Sequence, residues 1–537
     1  MPIRLLDAET LQLRSFEENA VSPYTILSHT WGTDEVSFQD IQGPHAASKA
    51  GYAKIRHACQ DALLRGVSYV WVDTCCIDKT SSAELSEAIN SMYRWYQNAR
   101  VCYAYLADVP AGTDVHSPES AFATTRWFSR GWTLQELLAP ENLYFFSNDG
   151  QPFGSKHGLS KEISEITGIG ERFLTGQSRL SQASIARRMS WASRRETTRT
   201  EDLAYCLLGI FGITMPLLYG EGKKSFVRLQ EEIMKTSADQ TLFTWGYKDH
   251  DLQTLNRRPL KPYSPFATQP AAFRDSGDFV PDELDESMSA YAMTNRGLQI
   301  NLPIIKLSRY ESWGGSNGML AVFACRPEKQ FLWVVAIPIR FYTPDSIMRL
   351  GSGKCLTIRR DEMIHYPTQA LRLLTNIDKK APMVEELSKQ RLFLVRKLPT
   401  HDSGLCIWNV EPRDAWDSEQ RVFRIVADGA SHVVIRLWRS KGEGFAIAIT
   451  VKLTSRGDFL PSYMVLPETS DLPLSYESLS PKGGFGYGSA GCPDIEVKPG
   501  NQDVLMATGI IIRTLDIEIA SSQKRRNVQR TGSTNLV

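Results

Sequence analysis

Net charge is nearly absent from this chain, with sixty-one Lys and Arg against sixty Asp and Glu, or +1 over 537 residues. No global field draws it to nucleic acid or acidic lipid, so any anion site has to be local. Cysteine is scarce: nine residues, one adjacent pair at Cys75-Cys76 and no Cys-x-x-Cys. That excludes a zinc knuckle or a redox motif, leaves no metal expected, and fits a reducing compartment, the cytoplasm. Long apolar runs are missing too. The start, Met1-Pro2-Ile3-Arg4-Leu5-Leu6-Asp7-Ala8-Glu9, carries acids where a secretory signal needs an uninterrupted apolar stretch. Leu203 to Gly220 is uncharged for eighteen residues but holds Gly209, Gly212, Thr214 and Pro216. It reads as a buried helix ending near Gly212, not as a membrane span.

Several enzyme signatures are also lacking. Gly220-Glu221-Gly222-Lys223-Lys224-Ser225 and Gly351-Ser352-Gly353-Lys354 have the wrong spacing for a phosphate loop. There is no Gly-x-Ser-x-Gly elbow and no His-Glu-x-x-His, so serine hydrolase and zinc protease lack their signatures. No repeat of fixed period supports a propeller or a solenoid. What remains is ordinary globular composition, 42% hydrophobic and 23% charged, in a length that allows about three domains.

Residues 24 to 147 alternate β-rich runs with helical patterns, the form of a parallel sheet with crossover helices. The runs are Tyr24 to Ser28, Tyr69 to Ile77, Val101 to Val109 and Asn142 to Ser147. Leu85, Ala88, Ile89, Met92, Trp95, Tyr96 and Ala99 mark one apolar face of a helix. Ser81 and Glu84 read as its capping box. From Ser160 to Lys235 the pattern is helical and contains Arg187, Arg188, Arg194, Arg195 and Arg199. With Glu196, Glu201 and Asp202 among them, these arginines read as a solvated face or as interdomain ion pairs. After Thr244 short strand-like runs dominate: Leu320 to Cys325, Phe331 to Arg340, Arg391 to Val395, Val433 to Trp438 and Ile510 to Thr514. They predict a β-rich sandwich or barrel. Ser521 to Val537 holds four basic residues and no acid and reads as a disordered tail.

In an open parallel sheet, ligands bind beyond the carboxyl ends of the strands. The polar residues fall there: Ser28-His29-Thr30-Trp31-Gly32 after the first run, Asp73 to Asp78 in the second and Asp108 in the third. In Ser129 to Pro140, Leu134, Leu137 and Leu138 share one helical face while Trp132 and Glu136 share roughly the opposite one. The leucines can pack on the sheet, leaving an indole beside a carboxylate. In a half-buried cleft that carboxylate has a raised pKa, as functional acids do; the bland reading is an exposed helix Glu beside a partly buried Trp. Cys75 or Cys76 with His29 could form a nucleophile and base, although two buried structural thiols are the plainer reading.

The string Tyr24-Thr25-Ile26-Leu27-Ser28-His29-Thr30-Trp31-Gly32 resembles the opening block of the fungal heterokaryon incompatibility (HET) domain. Two more blocks agree in family order: Trp71-Val72-Asp73-Thr74-Cys75-Cys76-Ile77-Asp78-Lys79 through Trp95-Tyr96, and Arg126-Trp127-Phe128-Ser129-Arg130-Gly131-Trp132-Thr133-Leu134-Gln135-Glu136-Leu137-Leu138-Ala139-Pro140. A looser continuation runs through Glu201-Asp202-Leu203-Ala204-Tyr205 and Leu218-Tyr219-Gly220-Glu221-Gly222 to about residue 245. The resemblance implies an α/β fold, flavodoxin-like and related to the Toll/interleukin-1 receptor (TIR) domain, and a role in non-self recognition and programmed cell death. By analogy with TIR enzymes, Trp132 and Glu136 look like the Trp-x-x-x-Glu motif of domains that cleave NAD. Glu136 would then be catalytic, with Ser28, His29, Trp31, Asp73 and Trp132 holding the NAD. The competing reading is a non-enzymatic signalling module that self-associates or answers a separate activating protein. The expected organisation is a TIR-like HET domain over 1–155, a helical extension over 156–245, a β-rich accessory domain over 246–520 that senses or restrains, and the basic tail over 521–537.

Overall fold

The computed structural model describes residues 3–17, 20–247, 262–282, 291–295, 297–306, 319–343, 346–350, 355–363 and 368–375, and further strands between 390 and 519. The expected tail, 521–537, lies outside the described residues.

Seven strands form the first sheet: β1 (Ile3–Asp7), β2 (Leu13–Phe16), β3 (Tyr24–His29), β4 (Tyr69–Trp71), β5 (Val101–Tyr105), β6 (Leu143–Phe146) and β7 (Pro152–Ser155). Their order is β2-β1-β4-β3-β5-β6-β7. The centre, β4-β3-β5-β6, is parallel, as the alternating pattern predicts, and antiparallel strands flank it on both sides. β3 is buried along its whole length, so both of its faces are core. The second and third runs are shorter as strands than their composition suggests. β4 ends at Trp71 because the Val72 carbonyl accepts from both the Cys75 and Cys76 amides, turning the chain out of the sheet.

The helices are α1 (Phe38–Ile41), α2 (Tyr52–Leu64), α3 (Ser82–Asn98), α4 (Ala121–Thr124), α5 (Arg126–Ser129), α6 (Thr133–Leu138), α7 (Ser160–Thr167), α8 (Glu171–Leu174), α9 (Ile185–Ala192), α10 (Asp202–Tyr205), α11 (Leu208–Phe211) and α12 (Lys224–Met234). α3 buries Ala88, Ile89, Met92, Trp95 and Tyr96, the face its spacing marks. The Trp71 ring packs against the Trp95 and Tyr96 rings at centroid distances of 5.5 and 5.8 Å, seating α3 on the sheet. Only half of the expected capping box forms. Ser81 accepts from the Glu84 amide, but the Glu84 carboxylate takes the Asp78 amide and the Arg4 guanidinium instead.

The uncharged stretch after Asp202 is two short helices, α10 and α11. The second ends at Gly212, whose φ of 68° supplies the left-handed turn that a side chain would disfavour. Gly209 lets α11 lie directly on α3: a Cβ there would sit 2.0 Å from Tyr93 Cβ. No helix among the described residues is long and apolar enough to cross a membrane.

From residue 262 the described structure is β-rich. The strands are β8 (Pro262–Tyr263), β9 (Phe279–Pro281), β10 (Tyr291–Thr294), β11 (Gly297–Lys306), β12 (Met319–Phe323), β13 (Cys325–Pro327), β14 (Trp333–Thr343), β15 (Ser346–Leu350), β16 (Leu356–Arg359) and β17 (Thr368–Leu373). Strands β14-β12-β11-β17-β15 close into a barrel because β15 pairs back onto β14. Closure removes the sheet edges and encloses Leu298, Leu302, Val335, Ile337 and Leu373 in the core. Beyond it, Leu405–Glu411, Ser431–Arg439, Gly444–Leu453 and Phe459–Pro467 form an antiparallel sheet, and Gln390–Lys397 pairs in parallel with Ile511–Ile519. The barrel is tied to the chain after α12 by buried Arg349. Its guanidinium donates to the carbonyls of Phe243 and Trp245 at 2.8 and 2.6 Å and lies over the Trp245 ring.

Candidate functional site

The chain leaves β3 through α2 to reach β4 on one side, then crosses by α3 to β5 on the other. That reversal makes the carboxyl end of β3 the place where an open sheet parts its loops. Ser28 and His29 stand there. Successive residues of a strand face opposite sides, and these two begin two different polar clusters.

Ser28 faces α5 and α6. Its hydroxyl donates to the Glu136 carboxyl and accepts from Trp127 Nε1 at 2.8 Å. Tyr96 stands on the same side, its hydroxyl 3.1 Å from the Leu27 carbonyl and within reach of Glu136. All six residues of α6 are buried, because the helix is wedged between the sheet and the helices around it, and Glu136 is 7% exposed. Burial raises its pKa to about 8. The Asp73 charge adds to that rise, while the bonds to Ser28 and Tyr96 and the nearby Arg195 oppose it. At neutral pH the group is mostly the neutral acid.

Arg195 is buried beneath this cluster and donates to the Arg130 carbonyl and Thr133 Oγ1 at 2.9 and 3.0 Å. Thr133 Oγ1 in turn bonds the Trp127 carbonyl, so α5, α6 and the arginine hold one another. Burial brings the Arg195 pKa down to about 10.

His29 faces the α2 side. Its Nε2 is 3.0 Å from Asp73 Oδ1, and Trp31 Nε1 donates to Asp73 Oδ2 at 2.9 Å. Glu35 lies 4.0 Å from His29 Nδ1 and accepts from Lys54 of α2 at 2.6 Å. The Lys79 ammonium sits 3.7 Å from the Trp31 ring centroid, and Trp31 is 52% exposed. Burial would raise the Asp73 pKa, but the Lys79 charge and the His29 and Trp31 contacts outweigh it and hold the carboxylate at about 2. The result is a wet aromatic surface backed by fixed charges, next to a dry acid across the strand.

Residues 24–117 match the heterokaryon incompatibility protein (HET) family, and residues 224–321 match a domain of unknown function, DUF8212. The vegetative incompatibility protein HET-E-1 of Podospora anserina is 47% identical over 246 residues, which cover 43% of this chain and 18% of that protein. The chain carries a HET domain. No solved structure matches it.

The HET domain brings five of the six residues singled out in the sequence to the end of β3: Ser28, Glu136, His29, Trp31 and Asp73. Trp132 is elsewhere in its bonding. It precedes α6 and its indole reaches Asp202, whose other partner is the Tyr219 hydroxyl at 3.0 Å. Trp132, at the N-cap of α6, and Glu136, within it, thus have different hydrogen-bond partners. Cys75 and Cys76 are buried, with their thiols toward the Val72 and Val70 carbonyls, and His29 is engaged with Asp73. The hydrogen bond with Cys76, together with burial, pushes the Cys75 thiol well up, which disfavours a thiolate nucleophile. Among the described residues no group of three His, Cys, Asp or Glu side chains is placed to hold a metal ion.

The arginine run is divided: Arg194 and Arg199 are exposed, as on a solvated face, while the rest turn inward or pair across regions. Arg187 and Arg195 are buried, and Arg187 pairs with Glu328 of the β-rich region at 2.6 Å, an ion pair across the two regions. The later family-like strings also have structural work. The Glu201 carboxylate accepts from the Gly220 and Gly222 amides, and the Tyr205 hydroxyl donates to Glu221, locking the two strings together. Sequence reasoning missed Trp127, Tyr96, Lys79, Glu35, Lys54 and the placement of Arg195. Trp127, Lys79 and Tyr96 lie inside the quoted family blocks, Tyr96 read there only as part of an apolar helix face; Glu35, Lys54 and the placement of Arg195 carry no local signal.

Proposed function

We propose that the protein acts in fungal vegetative incompatibility as an effector of growth arrest or cell death, and that its HET domain, read as TIR-like, hydrolyses NAD at the end of β3. What carries the reading is Glu136: a buried carboxyl poised near pH 8 at the sheet's switch point, bonded to Ser28. In the reaction the bond between ribose C1′ and the nicotinamide nitrogen breaks, water adds at C1′, and ADP-ribose, nicotinamide and one proton leave. The cationic nicotinamide ribosyl group favours the ionised carboxylate, so substrate binding drives the proton off Glu136. The resulting charge stabilises the oxocarbenium-like state, as a carboxylate does in glycoside hydrolysis. Trp31 offers the stacking wall, and His29 and Asp73 the polar contacts across the strand.

A second reading, a signalling module that self-associates or recruits a separate activating partner, is favoured by the closure of Glu136 behind Ser28 and Trp127. NAD turnover by the full chain over a range of protein concentrations separates the two. Turnover that disappears in Glu136→Gln supports the hydrolase. If wild type at every concentration leaves NAD intact while surface substitutions abolish cell death, the signalling module stands instead.

A further inference from the structure

At the seam between the helices and the barrel lies a cavity of about 240 Å³, remote in its lining residues from the β3 cluster. Arg172 of α8 and Arg187 of α9 line it, together with Glu328 from the turn between β13 and β14. Glu328 Oε2 is 2.6 Å from Arg187 Nη2, and Glu328 Oε1 is 3.3 Å from Arg172 Nη2. The three side chains differ in how firmly they are held. Arg187 is only 10% exposed and is anchored by its Nε on the Gly277 carbonyl at 2.8 Å. Glu328 is 38% exposed and Arg172 48%. The arginine fork is therefore built into the wall, and the carboxylate on it is the replaceable half.

We infer that this cavity is a binding site for a small phosphorylated sugar, and that the Glu328 side chain occupies the phosphate position in its absence. Two guanidinium groups converging on one carboxylate match the geometry of a phosphate equally well, and a phosphate makes stronger charge-assisted bonds with them. A buried guanidinium needs an anion, so Glu328 can leave only when another anion arrives. Asp278 also lines the space and offers a carboxylate acceptor for hydroxyl groups. Gly168, Gly170 and Gly277 keep side chains out of it, and a Cβ at Gly277 would stand 2.7 Å from Ser190 Oγ. The volume is below that of sites for drug-sized molecules and suits a pentose phosphate. The backbone bond from the Glu328 amide to the Asp278 carbonyl, at 2.8 Å, keeps the turn in place while its side chain swings away. Ligand arrival would thus cut the ion pairs between barrel and helices without undocking the strand. The inference stands apart from the NAD reading and does not depend on it.

Isothermal titration of the full chain with ribose 5-phosphate at low salt tests it. Binding is expected in wild type, tightened about tenfold in Glu328→Gln, which removes the competing charge, and weakened about tenfold in Arg172→Ala. Both positions are partly exposed, and thermal melts establish that the variants fold. Absence of binding by folded Glu328→Gln overturns the inference. So does equal affinity for ribose 5-phosphate and inorganic phosphate, since the hydroxyl contacts would then contribute nothing.

Discussion

Ser28 of β3 and Glu136 of α6, 108 residues apart in the chain, share a buried hydrogen bond, and Trp127 Nε1 points at the same hydroxyl. Through a single atom the serine ties strand β3, helix α5 and helix α6.

Ser28→Ala leaves the Trp127 indole N–H and the Glu136 carboxyl short of a partner in a dry site. The expected cost is about 1–3 kcal/mol, read from the urea midpoint. Because the serine bond lowers the Glu136 pKa, its loss moves that pKa further up. An unchanged midpoint would show that the bond contributes nothing to the fold.

The raised pKa of Glu136 makes stability depend on pH. In the unfolded chain the carboxyl ionises near its ordinary 4.5, whereas in the folded protein it holds its proton to about 8. The folded state binds the extra proton between these values, so this group's contribution to stability falls as pH rises from about 4.5 to about 8 and levels off above. Melting temperatures of wild type and Glu136→Gln across that window are expected to converge at its acid end, and the variant is expected to be the more stable at its alkaline end.

Asp73 behaves in the opposite sense. Its folded pKa of about 2 lies below the ordinary 3.8, so its contribution is complete above about pH 4 and is lost as pH falls through about 2. Acid unfolding of Asp73→Asn is expected to start from a lower stability at neutral pH and to show a shallower slope between pH 4 and 2. Equal slopes would contradict the charge contacts drawn between Asp73, Lys79 and His29.

Gly209→Ala tests the contact between α11 and α3. The added methyl meets Tyr93, whose Cβ lies 2.0 Å from the position it would occupy, so either the ring or the helix has to move. A loss of about 1–3 kcal/mol is expected by denaturant titration, the usual cost of overpacking.

Much of the α/β architecture was legible because it is written locally. The face of α3 shows in the spacing of Ala88, Ile89, Met92, Trp95 and Tyr96, and the four parallel strands show as β-rich runs between helical patterns. Where those strands stop was not legible, since β4 ends through carbonyl and amide geometry at Val72 that no residue type announces. The candidate site divides in the same way. His29, Trp31 and Asp73 stand at strand ends and could be picked by position alone. The pairing of Ser28 with Glu136 is long-range, and the placement of Arg195 beneath it depends on how α9 packs; from its charged neighbours in sequence it reads as surface.

The alternation at the end of β3 also bears on how the chain finds its fold. Ser28 belongs with a neutral acid and an indole on one side of the sheet, His29 with carboxylates and a lysine on the other. If β3 docked one residue out of step between β4 and β5, a slip in one sense would press the imidazole against Trp127 and Glu136, and a slip in the other would leave the serine among Asp73, Glu35 and Lys54. The apolar positions of this wholly buried strand do little to forbid that slip, because both faces accept Ile26 or Leu27. Two adjacent polar residues therefore act as a key for strand alignment, and exchanging them, Ser28→His with His29→Ser, should yield a chain that misassembles even though its composition is unchanged.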